Sequence, residues 1–203
     1  SILHSHAFDS QHPMRALYNK SGAKPVKDNI KCLFWKESLR ISNLIRSREI
    51  DLDAIFRQDE RLRFLLPVRN PLDCAISNMR SGHISLFDGL ERNATQIEAA
   101  RAVLDEIFWC AALRKRHPKR VFIFMEDGVS KQMLSGLARF LRLAPDRDWI
   151  ASALSAMRTR PAYRHDPALL HFCVHHVADR ADDFPHLCKG LIMLMVGRSA
   201  LQR

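Results

Sequence analysis

One stretch constrains the fold more than any other: LRFLLPVRNPLDCAISNMRSGH, residues 62–83. Its nearly continuous apolar run ends in Arg-Asn-Pro and passes directly into a helical pattern, so it reads as a strand, a tight turn and a helix. Two more short apolar runs, IKCLFW (30–35) and VFIFM (121–125), also read as strands. None of the three alternates strictly, which suits strands covered on both faces. Between the second and third, residues 94–116 carry Ile97, Ala100, Leu104, Ile107, Phe108 and Ala111 at the spacing of one apolar helix stripe. A further helix is predicted over 130–143, with Leu134, Leu137 and Leu141 on one side and Pro145 just beyond its end. The expected architecture is α/β, a parallel sheet flanked by helices with right-handed crossovers. Pro67 cannot donate a ladder hydrogen bond, which places it at a strand end or an irregularity.

A chain of 203 residues, 47% hydrophobic, can bury one substantial core. A single domain over 1–203 is therefore expected, with an α/β core in 1–145 and a helical segment in 146–203. The softest boundary lies near RTRPAYRHDP (158–167), where prolines and charges interrupt the helical patterning. There is no internal repeat, and seven glycines are too few for a glycine-rich linker. The longest uninterrupted apolar stretch, GLIMLMVG (190–197), falls short of the roughly 18 residues that span a bilayer. The opening residues lack the basic and apolar regions of a signal peptide. Five cysteines, an odd number without regular spacing, point to a reducing compartment and a cytoplasmic location. The 32 Lys and Arg against 22 Asp and Glu give a net charge of +10, which suits an anionic ligand, an acidic polymer or an anionic membrane surface.

The turn after the second strand narrows that choice. Ligands of open parallel sheets bind at the carboxyl ends of the strands, where Arg69 stands. Asn70 is a good N-cap, Pro71 falls at the first helical position, and Asp73 completes a capping-box-like pattern. A helix N-terminus offers N–H groups and the positive end of its dipole, so an arginine beside it makes an anion site. Ser77 adds a hydroxyl two turns on. By spacing alone, Arg69 as a surface arginine and Ser77 as a neutral helix position account for the pattern equally well.

VRNPLDCAIS resembles the 3′-phosphate-binding segment of sulfotransferases that use PAPS (3′-phosphoadenosine 5′-phosphosulfate): a strand ending in Arg-Asp/Asn-Pro, then a serine eight residues after the arginine. The resemblance assigns Arg69 and Ser77 to the 3′-phosphate. FIFMEDGVSKQMLSGLARFLRL is similar to the family's late strand, Glu-Asp pair and following helix, with Glu126 and Asp127 at the matching positions. IKCLFWKES is similar to the second strand, where a lysine and a base stand near the transferred sulfuryl group. Membership would imply a P-loop NTPase-like sulfotransferase fold, covered here over about residues 1–145.

One element of the family pattern has no counterpart. The Arg-Ser-Gly-Thr-Thr loop, whose backbone N–H groups cradle the 5′-phosphosulfate, is absent from this sequence. The Arg-Ser-Gly at 80–82 follows a helix instead of a strand, and Gly82 reads as its cap. SILHSHAFDSQHP resembles the helix after that loop in bacterial members, ending in His12 and Pro13. On that alignment Ser1 is the loop's last hydroxyl residue and the chain begins inside the loop.

Sulfuryl transfer needs in-line placement, neutralisation of charge and a base for the acceptor. The resemblance gives Lys36 the charge-stabilising role and Glu37 the base, with PAPS as co-substrate, no metal, and a small-molecule or carbohydrate hydroxyl or amine as acceptor. Read without it, Lys36 and Glu37 are an exposed pair at a strand-to-helix junction.

Two other constellations invite a functional reading. His171 and His175 are four apart, with His186 and Cys188 downstream, but no fourth ligand has a recognisable spacing and a structural role is preferred. The run RKRHPKR (114–120) reads as a solvated helix C-terminus complementing the dipole before it reads as a polyanion patch. The competing function is a non-catalytic basic module for nucleic acid or another polyanion, and a nucleotide kinase relative is a third. Against these stand the missing Gly-Lys-Ser/Thr loop and the lack of an aromatic platform for single strands.

Overall fold

The structure, a computed structural model, describes residues 40–156 and 165–200, with side chains from 42 and up to 197. All of them belong to the unit Glu37–Arg203. The fold is mixed α/β and mostly helical. Helices α1 (Arg40–Ser47) and α2 (Leu52–Gln58) lead into strand β1 (Phe64–Val68). Helices α3 (Pro71–Arg80) and α4 (Gln96–Arg116) then carry the chain over to strand β2 (Val121–Met125). Helices α5 (Lys131–Phe140), α6 (Arg147–Ala156), α7 (Pro167–Ala178) and α8 (Pro185–Ala200) follow. β1 and β2 pair in parallel, Phe64 opposite Val121 and Val68 opposite Met125. The strand expected over 30–35 lies outside the described residues, among which the sheet has two strands.

Local chemistry accounts for the element boundaries. Thr95 and Glu98 form a complete capping box on α4: the threonine hydroxyl accepts from the Glu98 N–H at 3.2 Å and the Glu98 carboxylate accepts from the Thr95 N–H at 2.7 Å. Ser130 caps α5 by accepting from the Met133 N–H, and Asp166 caps α7 ahead of Pro167. α3 ends at Ser81 and Gly82, whose φ of 71° is the left-handed conformation that closes a helix without a side-chain clash. Pro67 is the penultimate residue of β1 and is exposed.

Two apolar clusters hold these pieces together. The larger joins Val68, Leu72 and Ala75 to Ala100, Leu104 and Phe108 of α4, and extends to Leu169, Cys173, Leu191 and Met195 of α7 and α8. Helices α7 and α8 thus share the core of the sheet, and burying them contributes about 1.5 to 3 kcal/mol for each large aliphatic side chain. The smaller cluster sets Ile45, Leu52 and Phe56 against Leu113 and Val121, under the opposite end of the strands. The α4 stripe differs from expectation at one end, because Ile97 lies in the first turn and is exposed.

Candidate anion-binding turn

The segment Val68-Arg69-Asn70-Pro71 leaves the carboxyl end of β1, and each residue has one structural task. Val68 is buried in the core. Asn70 is fully buried, accepts from the Leu72 N–H at 3.0 Å and donates from Nδ2 to the Leu194 carbonyl of α8 at 3.0 Å. Its own carbonyl takes the Cys74 N–H at 3.0 Å. The expected cap is present, but the turn commits the N–H groups of Leu72 and Cys74 to itself, and Pro71 has none. An anion here meets the helix dipole and the Arg69 side chain more than a row of open N–H groups.

Arg69 donates from Nε to Glu126 Oε2 at 3.2 Å, across the gap between the turns that follow β1 and β2. The two side chains are 31% and 25% exposed. Among the described residues the Nη groups of Arg69 make no hydrogen bond, so the guanidinium is aimed by one edge and open along the other. Cys74 lies in the field of Arg69, Asp73 and Glu126; burial pushes its thiol up to about 11, out of nucleophilic range at neutral pH.

Ser77 is half-buried in α3 and no hydrogen bond joins it to Arg69. Residues 73 and 77, one turn apart, share a helix face. Asp73 is turned inward, its Oδ1 2.9 Å from Nε2 of His165, and the two side chains are 4% and 3% exposed. Burial holds the His165 imidazole below its ordinary range and Asp73 works in the opposite direction, so the ring is neutral at neutral pH. The sequence reading gave no role to His165 and saw Asp73 only as part of a cap. Lys36 and Glu37, the residues assigned to catalysis, lie outside the described residues.

The remaining candidates separate from this turn. His171 and His175 meet edge to face at 4.3 Å between ring centroids and are exposed, and no group of three metal-ligating side chains occurs among the described residues. Arg114, Lys115 and Arg116 are exposed in the last turn of α4, as a solvated C-terminus requires. Of the rest of that basic run, Pro118 and Lys119 are exposed, whereas His117 pairs with Asp53, and Arg120 donates to the Phe56 carbonyl at 3.0 Å and to the Glu60 carbonyl. Two open depressions of about 600 and 360 Å³ share Lys115, Asp183 and Phe184, and neither includes a residue of the Arg69 turn. No helix among the described residues is long and apolar enough to cross a membrane. No family model, no curated protein and no solved structure matches the chain.

Proposed function

We propose that this chain is a PAPS-dependent sulfotransferase domain of P-loop type, in which Arg69 and Ser77 hold the 3′-phosphate of the nucleotide. The observation that carries the reading is the posture of Arg69. A guanidinium fixed through Nε by Glu126, with its Nη edge open among the described residues, sits at the carboxyl end of a parallel strand pair and beside a helix N-terminus. That edge matches two phosphate oxygens, the geometry for which arginine surpasses lysine. The donor set fits the ligand in kind: a fixed cation, a half-buried hydroxyl at Ser77 without a hydrogen-bond partner among the described residues, and a favourable dipole. PAPS, when bound, supplies the activated sulfuryl group. Arg69 orients the nucleotide, Lys36 neutralises charge beside the transferred group, and Glu37 takes the proton of the acceptor hydroxyl or amine; the last two roles rest on the sequence resemblance.

The test is a ligand comparison. 3′-Phosphoadenosine 5′-phosphate (PAP) should raise the melting temperature of the protein well above the shift given by adenosine 5′-monophosphate, and Arg69→Ala should weaken PAP by about 1.5 to 3 kcal/mol. Equal shifts with the two nucleotides would remove Arg69 from the 3′-phosphate site. Tight binding of nucleic acid with no binding of PAP, and a steep loss of affinity between about 50 and 200 mM salt, would establish the polyanion module instead.

A further inference from the structure

Three contacts from the last quarter of the chain converge on the turns that hold Arg69. The side chain of Asn70, the residue next to Arg69, is hydrogen-bonded to the Leu194 carbonyl of α8. Asp73, one turn further, meets His165 at 2.9 Å just ahead of α7. On the other side, α8 passes so close to the end of β2 that a Cβ placed on Gly190 would lie 2.9 Å from Cε of Met125, the residue before Glu126. Both halves of the Arg69–Glu126 pair are thus braced by the same C-terminal segment, one by two buried polar contacts and the other by steric contact.

We propose that His165 and α8 form a clamp that positions the Arg69 turn, so that anion binding at Arg69 and docking of the C-terminal segment are coupled. His165 is a positioning residue in this arrangement: it acts through Asp73 and the first turn of α3 and does not itself meet the anion. A buried carboxylate at the third position of a helix can take more than one rotamer, and the ring of His165 fixes one of them. Gly190 performs the matching task for β2, since its missing side chain lets α8 close over Met125 and hold Glu126 where Arg69 Nε reaches it. Linkage then requires that whatever loosens the clamp weakens the anion, and that the anion tightens the clamp by the same factor. The coupling to PAP rests on the proposed nucleotide site, whereas the bracing of the turn does not.

The experiment has a ligand-free arm and a ligand arm. Without ligand, amide hydrogen exchange is followed at Cys74, whose N–H bonds the Asn70 carbonyl, and at Leu134 of α5 as a reference. His165→Leu should accelerate Cys74 exchange while leaving Leu134 unchanged, and His165→Gln, which keeps a donor for Asp73, should restore slow exchange. With PAP, His165→Leu should weaken binding on the order of tenfold, the scale of an ordinary coupling between sites, and His165→Gln should recover most of it. Gly190→Ala guards against a variant that simply fails to fold: alanine favours the helix, yet its methyl displaces Met125, so PAP affinity should fall several-fold with the melting temperature unchanged or raised. The clamp is refuted if Cys74 and Leu134 exchange rise together in His165→Leu, or if His165→Leu and Gly190→Ala both bind PAP like the parent. If the parent itself binds no PAP, the nucleotide reading falls and the exchange arm alone decides the clamp.

Discussion

Two arginine–glutamate pairs stand among the described residues, and they differ in how they are buried. Arg46 of α1 reaches Glu106 of α4, donates also to Asn43 Oδ1 at 2.7 Å, and lies over the Trp109 ring. Asn43 in turn donates to the Leu86 carbonyl at 2.7 Å, and Glu106 is only 5% exposed where Arg46 is 35%. Both hydrogen bonds of Arg46 leave from Nη2 and end on the buried side chains Asn43 and Glu106. Burial raises the Glu106 carboxyl above its ordinary range against the pull of Ser42 and Arg46. Among the described residues Arg69 has one hydrogen-bond partner and an open edge. A pair whose acid is buried holds helices together, and a pair whose two members are both partly exposed can be reached by a ligand.

Four substitutions and conditions sharpen or break this contrast. The largest effect should come from Arg46→Ala, which strands the Glu106 carboxylate in the interior and should cost about 3 kcal/mol in urea unfolding. A loss under about 1 kcal/mol would mean that water reaches Glu106 freely, and the two pairs would then be alike. Asn70→Ala removes a helix cap and a buried bond to α8 together, and about 2 kcal/mol should be lost. A near-neutral result would show that the Leu194 contact contributes nothing. Arg69→Ala should change stability by less than about 1 kcal/mol, because its pair is partly solvated, while weakening PAP by about 1.5 to 3 kcal/mol. If it destabilises as much as Arg46→Ala, Arg69 is a structural residue and the proposed site is lost.

The smallest effect is a pH slope with two opposing parts. His165 titrates lower in the folded protein than its ordinary 6.5, so the unfolded chain takes up the proton first. Stability is then full above about pH 6.5 and declines as pH falls toward the folded value. Glu106 is raised above its ordinary 4.5, so the folded protein takes up that proton first, and acidification through its folded value relieves a cost. Melting temperatures between about pH 7 and pH 5 should therefore decline less in His165→Gln than in the parent and more in Glu106→Gln. Identical profiles in all three proteins would place neither group in the interior.

How much of this was legible in the sequence depends on the range of the interaction. The limits of β2 follow from VFIFM as written, and the cap at Asn70 and the stop at Gly82 follow from residues that act on their immediate neighbours. The α4 stripe was legible as a period, though its first member, Ile97, proved to be outside the core, since a period says nothing of where a neighbour stops covering it. Glu106 reads as one of the polar residues of an amphipathic helix and is instead buried, because the cation that makes burial tolerable comes from α1. Arg69 and Glu126 were each singled out, but their pairing joins residues 57 positions apart and leaves no periodic trace. His165 gave no signal at all: one histidine in a charged, proline-broken stretch acquires a role only when Asp73 is buried against it.

The Asn70–Leu194 bond also sets a clock on synthesis. Its partners are separated by 124 residues, so a ribosome that has just released β1 and the start of α3 must run on the order of 10 s longer before α8 can be reached. During that interval α3 and α4 can pack locally, but the side-chain amide of Asn70 has only water, and the turn carrying Arg69 is held from one side. A chain paused ahead of α8 therefore presents the Arg69 turn unfinished and a core still lacking Leu191, Leu194 and Met195.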